Sequence, residues 1–343
     1  MKRRIWTVVA GLVSVAALVA VPAAFAAYTT AKLEVTQSGT AATIKATLSP
    51  DDDPTAVVRI FVPTGTTLTT NQAPGAVIGS VRAIVKALDL AGADLPLEGQ
   101  IVVAAPGQIA PAIQAACLGT TTPIASWILV LSAAGQTLPL PAYVVATAGT
   151  QGPLGPAYIQ VCLPPPDVPV GTPGRATFGA KLYNAELTIN GVFSGGSGAW
   201  VALWTPYRPG LGQVNVTGTI VSPAVVFAGA VTVAAKRSGK KGVGAVASGR
   251  VTQGGQARPG AAVTIFGGPK ASQLKRLGRV RSNASGAFTF RAKTGTFFRA
   301  NVAAAAGPAP AACAALSAAI GPLPCVNPTT NGFTAQSRVV RKR

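Results

Sequence analysis

Apolar side chains recur at every second position in one short run after another along this chain, and Gly, Pro, Asn or Ser closes each run. A period of two sends neighbouring side chains to opposite faces of an extended strand, leaving one face to bury and one to wet. The C-terminal third shows the pattern best. Seven strands are predicted there, at Val231 to Ala235, Gly249 to Thr252, Ala262 to Phe266, Arg276 to Arg281, Gly286 to Ala292, Thr296 to Ala303 and Phe333 to Val340. Phe288 and Phe290 share one face of their strand and Thr289 and Arg291 the other; Phe298, Ala300 and Val302 face inward, Arg299 and Asn301 outward. Seven strands in roughly 110 residues predict a sandwich.

Upstream, strands are predicted at Val35 to Gln37, Thr43 to Leu48, Val57 to Val62, Ile101 to Ala104, Trp127 to Leu131, Ala142 to Val145, Tyr158 to Val161, Leu187 to Ile189, Trp200 to Trp204 and Val214 to Ile220. One short helix is expected at Ile109 to Cys117. The expected fold class is therefore all-β: a large N-terminal β-sandwich or jelly-roll-like domain at residues 27–230, then a seven-stranded sandwich at 231–343. Gly171 to Gly174, after CLPPPDVPVGTPG, offers an alternative internal boundary.

Residues 1–26 read as a signal peptide. Lys2, Arg3 and Arg4 form the basic head, Ile5 to Val21 the apolar stretch, and Ala24-Phe25-Ala26 a small-x-small cleavage pattern, so the mature chain is expected to begin at Ala27. No cysteine stands at the cut, which argues against a lipoprotein, and the Ala/Gly-rich style suggests a bacterial export signal. A second apolar stretch, AVVFAGAVTVAAKRSGKK from Ala224 to Lys241, resembles a membrane segment with a basic flank. Its uninterrupted apolar part is shorter than the roughly 20 residues a spanning helix needs, and Thr and Val alternate in it. It is expected to close one domain at Val221 to Val226 and open the next at Val231, with no membrane span.

An exported chain meets an oxidising compartment, so Cys117, Cys162, Cys313 and Cys325 are expected to form bridges. Four cysteines allow three connectivities. Pairing neighbours, Cys117 with Cys162 and Cys313 with Cys325, keeps each bridge inside one domain. The absence of histidine excludes His-built zinc centres and any Ser-His or Cys-His nucleophile pair.

Charge divides the chain sharply. All nine acids (Glu34, Asp51, Asp52, Asp53, Asp89, Asp94, Glu98, Asp167 and Glu186) precede residue 187, whereas residues 231–343 hold 18 Lys or Arg and no acid. The C-terminal domain thus has no carboxylate for acid-base work or hard-metal binding.

The segments VTVAAKRSGKKGVGAVASGRV, GQARPGAAVTIFGG, KRLGRVRSNASGAFTFRA, TFFRANV and SRVV resemble the immunoglobulin-like or prealbumin-like (carboxypeptidase regulatory-like) modules of bacterial secreted and surface proteins. The resemblance rests on Ser248-Gly249-Arg250-Val251, the Pro259-Gly260 turn before Val263 and Ile265, and the Gly286-x-Phe288-x-Phe290 arm. It covers residues 231–343 and departs from the pattern in an insertion at about 304–328 and in the lack of acids. It implies an immunoglobulin-like sandwich used as a spacer or adhesion unit, with no active site.

Arg279, Arg281, Arg291 and Lys293 lie on successive strands joined by the Asn283 to Ser285 turn, and are expected on one outer face as contacts for an anionic wall polymer or polysaccharide. Nucleic-acid specificity is not expected, for want of interleaved aromatics or a recognition helix. Asp51-Asp52-Asp53-Pro54 reads as a plain turn, with calcium as the alternative. Trp200, Trp204 and Tyr207 read as core, with a sugar platform as the alternative. A third reading pairs two of Asp89, Asp94, Glu98, Asp167 and Glu186 for glycoside hydrolysis, though no spacing singles out a pair. No catalytic residue, metal or cofactor is assigned. No sortase-type signal or closing hydrophobic tail is seen, so the expectation is a non-catalytic structural or adhesion-type protein, secreted or wall-associated.

Overall fold

The computed structural model describes residues 28–343 except 134, 227–228, 240–241, 310–311, 315 and 317–322. The expected signal peptide lies outside the described residues. The fold is all-β and sandwich-like, as expected. The first part contains β1 (Lys32–Ser38), β2 (Ala41–Thr47), β3 (Thr55–Phe61), β4 (Thr64–Leu68), β5 (Val77–Ala87), β6 (Ala93–Val103), helix α1 (Pro111–Leu118), β7 (Ala125–Ala133), β8 (Gln136–Ala146), β9 (Ala157–Cys162), β10 (Ala180–Ile189), β11 (Phe193–Pro206) and β12 (Ile220–Val226).

The remaining strands are β13 (Gly229–Val231), β14 (Ala234–Arg237), β15 (Ala245–Gln253), β16 (Gln256–Ala257), β17 (Ala262–Gly268), β18 (Lys275–Arg281), β19 (Ala287–Ala292), β20 (Phe297–Ala304), β21 (Gly307–Pro308), β22 (Thr329–Thr330), β23 (Phe333–Gln336) and β24 (Val340–Arg341).

One long sheet runs β1-β2-β10-β5-β6-β7-β8-β9-β3-β11-β12-β22-β21, with β4 beside β11. It folds over so that the inner faces of its strands meet. Ile44, Ile60, Ile101, Trp127, Ile159, Phe193, Trp200 and Trp204 share one core, each almost wholly buried. Its β5–β6 half is one-sided: Val81, Ala83 and Val85 point in while Arg82, Glu98 and Gln100 stay wet.

The other half is buried on both faces. Phe61, Tyr143, Val145, Tyr158, Val201, Leu203 and Val221, on its outer side, form a second layer under Leu118, Leu154 and Leu316. The cover is fastened in two places. Cys117, at the end of α1, is bridged to Cys162 at the end of β9. Gln160 of β9, 1% exposed, donates to the Cys117 carbonyl at 2.6 Å and accepts from Arg59 Nε at 2.8 Å, so a buried amide is satisfied from both sides.

The second sandwich sets one sheet, β13 and β14 with β15, β16 and β19, against another, β18-β17-β20-β23 with β24 beside β20. Val251, Val263, Ile265, Phe288, Phe298, Ala300 and Val302 fill the space between them, with Phe290 packed alongside. The chain crosses from β18 to β19 through Asn283, whose Oδ1 accepts from the N–H groups of Ser285 and Ala287. Gly286 takes φ +74° there, and a Cβ would fall 2.5 Å from the Val251 carbonyl oxygen.

Several predicted boundaries are corrected. Val231 to Ala235 divides into β13 and β14, Phe333 to Val340 into β23 and β24, and Val214 to Ile220 is chiefly a 3-10 turn at Val216–Gly218 capped by Asn215. The stretch from Ala224 is β12, β13 and β14, and no helix among the described residues is long and apolar enough to cross a membrane.

The insertion at about 304–328 is corrected in kind as well. After β20 the chain leaves the second sandwich, and β22 pairs in parallel with β12 through Ala224↔Thr329 and Val225↔Thr330. Thr329 Oγ1 donates to the Leu33 carbonyl at 2.6 Å and Gly332 N to that of Val35 at 2.9 Å, so residues 329–332 stitch β12 to β1. Gln253 Nε2 of the second sandwich then donates to Asn331 Oδ1 at 2.7 Å.

Candidate functional site

Both disulfides pair as expected, Cys117 with Cys162 and Cys313 with Cys325. The reason given for the second needs correction. Cys325 bridges to Val221 of β12 and packs in the outer layer of the first sandwich, so this staple shapes the returning segment and not the basic domain.

Arg279, Arg281, Arg291 and Lys293 are all exposed, but they do not share one sheet face. β18 pairs with β17 and β19 with β15, so the turn at 282–286 carries the chain from one sheet to the other. Across the β18 sheet Arg279 stands opposite Thr264, and Arg276 opposite Phe266, whose ring lies 5.3 Å from the guanidinium of Arg299. Across the other sheet Arg291 and Lys236 flank Val246. A neutral side chain therefore stands between the cations of neighbouring strands, Phe266 between Arg276 and Arg299 and Val246 between Lys236 and Arg291, which spares them like-charge pairing across the sheet. What remains is a basic envelope on two faces. The four ion pairs among the described residues, Lys32–Glu34, Arg82–Glu98, Lys86–Asp94 and Arg175–Asp89, all lie in the first sandwich.

The aromatic platform is not formed. Trp200 and Trp204 are 0% and 1% exposed, Trp204 Nε1 donating to Ser222 Oγ at 2.6 Å, and Tyr207 is buried with its hydroxyl on the Leu163 carbonyl. Even spacing placed the two Trp on one face, and that face is core.

The aspartate run is a turn. Asp52, 2% exposed, accepts from Thr29 N, Thr29 Oγ1 and Ser49 N at 2.7, 2.8 and 2.9 Å. No cluster of three or more metal-ligating side chains exists among the described residues. Four of the other acids, Glu34, Asp89, Asp94 and Glu98, are held in ion pairs. Asp89 is gripped by both Arg175 terminal nitrogens at 2.7 Å, which holds its carboxyl below the ordinary range, and Lys86 does the same to Asp94. Glu98 pairs with Arg82, and Glu186 stands opposite Lys45 and Arg82 in the sheet.

The sequence reading missed a cavity. At one end the first sandwich opens into an apolar cavity of about 300 Å³, reaching inward to Ile60, Ile159 and Trp204 and outward to Leu138, Leu163 and Leu182. Lys181 is its one charged lining residue. Its ammonium donates to the Pro50 carbonyl at 2.8 Å; burial lowers its pKa, against which Asp52, Asp53, Asp167 and Asp51 act. Burial raises the carboxyl of Asp53. Asp167 accepts from Gly210 N through Oδ2 and keeps Oδ1 buried without a hydrogen bond. The loop carrying Asp167 is tied across the end by the Arg175–Asp89 pair. Alternation marks each lining strand, but only the folding-over of the sheet reveals that their inner faces leave a gap.

No family model and no curated protein matches this chain. A solved structure described as "Crystal structure of tetra-tandem repeat in extending region of large adhesion protein" aligns over 91% of this chain and 99% of that chain, at 10% identity and a TM-score of 0.22. At that score the alignment says nothing of kinship or function.

Proposed function

We propose that this is an exported, non-catalytic structural or adhesion-type protein of the bacterial cell envelope or exterior, whose basic C-terminal sandwich adsorbs to an anionic wall polymer. The observation that carries the reading is charge without compensation: 18 Lys or Arg and no acid after residue 230, with Arg276, Arg279 and Arg281 exposed on one sheet and Lys236 and Arg291 on the other. Such a surface draws polyanions by its summed field and needs no pocket. Two disulfides that use every cysteine support an oxidising compartment. The engagement of Asp52, Asp89, Asp94 and Glu98 in fixed partners supports a structural use of the carboxylates.

The test is retention of the mature chain on isolated bacterial wall, on a polyphosphate matrix and on a neutral glucan at rising salt. Raising salt from about 0.1 M to about 1 M shortens the screening length from about 10 Å to about 3 Å. The chain is expected to stay on the two anionic matrices at the lower salt and to elute at the higher. Retention that salt does not alter, or equal retention on the glucan, overturns the reading.

A further inference from the structure

Close-packed protein interiors hold few voids larger than a water molecule. A space of about 300 Å³ walled by Val58, Val81, Leu97, Leu129 and Leu131 is therefore a feature of the first sandwich, and it stands apart from the basic surface. It falls at the small end of ligand pockets, with room for roughly ten methylene-sized groups. Four lining residues, Thr55, Thr177, Lys181 and Trp204, carry a polar side-chain group, and three of them have turned it to a partner outside the lining. The Thr55 hydroxyl lies 3.1 Å from that of Tyr28, the Trp204 indole N–H donates to Ser222 Oγ at 2.6 Å, and the Lys181 ammonium donates to the Pro50 carbonyl at 2.8 Å. Thr177 is exposed, where water can satisfy it. Lys181 thus gives the wall its methylene stem.

The same end of the sandwich is apolar on its outside as well. β5 ends beside the start of β10, and β9 and β11 end beside the start of β3. The loops that leave these ends expose Leu88, Leu90, Val170, Leu211, Val214 and Val216. They are tied to one another, Asp167 to Gly210 and Arg175 to Asp89, and exposed apolar side chains gathered on neighbouring loops mark a place of interaction. A charged head drawn into the cavity would give up its hydration with no partner turned toward it, whereas a hydrocarbon leaves water with a gain. We propose that this cavity binds one uncharged aliphatic ligand of about ten carbons, held by apolar contact alone. Binding involves no covalent step.

The experiment uses the full mature chain and the neutral dye N-phenyl-1-naphthylamine, displaced at neutral pH by straight-chain alcohols, alkylamines and fatty acids of six to sixteen carbons. Burying one methylene contributes about 0.8 kcal/mol, so affinity for the alcohols is expected to rise about fourfold per carbon and to level off near ten. Decanol is expected to bind at least tenfold more tightly than decylamine and than decanoate. Lys181→Met keeps the stem and removes the charge, and is expected to leave decanol affinity within about threefold of wild type.

Filling the cavity with Ala83→Leu is expected to weaken decanol at least tenfold. Leu138→Asp, at a half-buried lining position, repeats the test should the core variant fold poorly, with circular dichroism confirming the sheet in each. Absence of saturable dye binding, a chain-length gain that continues unbroken to sixteen carbons, or unchanged affinity in a folded cavity variant overturns the site. Decanoate or decylamine binding as tightly as decanol, or loss of decanol from a folded Lys181→Met, overturns the assignment to an uncharged ligand.

Discussion

Asp52 carries more of the fold than its place in a run of three aspartates suggests. Replacing it by alanine removes the acceptor of two partly buried N–H groups and a hydroxyl, and hydrogen bonds to a charged group contribute about 1.5–3 kcal/mol each before solvent takes their place. Asp52→Ala is expected to lose about 2–4 kcal/mol in urea unfolding, while Asp51→Ala, on the exposed side of the turn, changes little. Asp89 answers to pH. Its folded pKa is depressed by Arg175, so the stability it contributes is present above the unfolded value of about 4 and is lost as pH falls through the folded one. The gap in stability between wild type and Asp89→Asn is therefore expected to be widest near neutrality and to close below about pH 4, as acid titrations of both would measure. At this scale the sequence was legible where spacing carries meaning: two tryptophans four apart had to share a face. The partners of Asp52 and Gln160 were not, because Thr29 and Cys117 reach them only through the tertiary fold.

Strands buried on both faces were the easiest to find. Tyr158 to Val161 and Ala142 to Val145 are continuous apolar runs, and in the fold they lie beneath α1 with the core behind them. β5 and β6 are longer but were missed or found only at an end, since Gly79, Ser80, Arg82 and Lys86 break up the apolar run of β5 and Pro96 interrupts β6. β22 was illegible because two threonines make no pattern. The outer cover supplies a test of its own. The Cys117–Cys162 bridge closes 45 residues and the Cys313–Cys325 bridge 12, for which loop closure assigns about 4 and about 3 kcal/mol. Cys117→Ala/Cys162→Ala is expected to be the less stable of the two double variants. Its amide exchange is expected to quicken first in α1 and along β9, and equal exchange in both variants would contradict the role given to the first staple.

Over the whole molecule, charge was legible to the residue and its arrangement was not, because the turn at Asn283 hides a change of sheet. That arrangement has a measurable outcome. Arg276→Ser/Arg279→Ser/Arg281→Ser strips one face and Lys236→Ser/Arg291→Ser/Lys293→Ser the other. Each triple variant is expected to lower the salt needed for elution from polyphosphate by a similar part, and the two together to lower it by about the sum of the two. A single discrete site would instead respond to one triple alone. The returning strand binds the two sandwiches together in another way. A fragment ending at residue 230 loses β22 from β12 and Leu316 from the outer layer. It is expected to expose Val201, Leu203 and Val221 and to associate in solution, as sedimentation would record.

The stitch between Leu33 and Thr329 joins positions 296 residues apart. Whatever aperture the polypeptide emerges from, β1 must wait, one edge unmet, until residues 329–332 have followed. Completion of that edge is thus timed by residues 329–332, and pairings across so long an interval form slowly. During that delay the bare edge invites a neighbouring copy, so dilution, or a chaperone resting on β1, should raise the yield of correctly finished molecules.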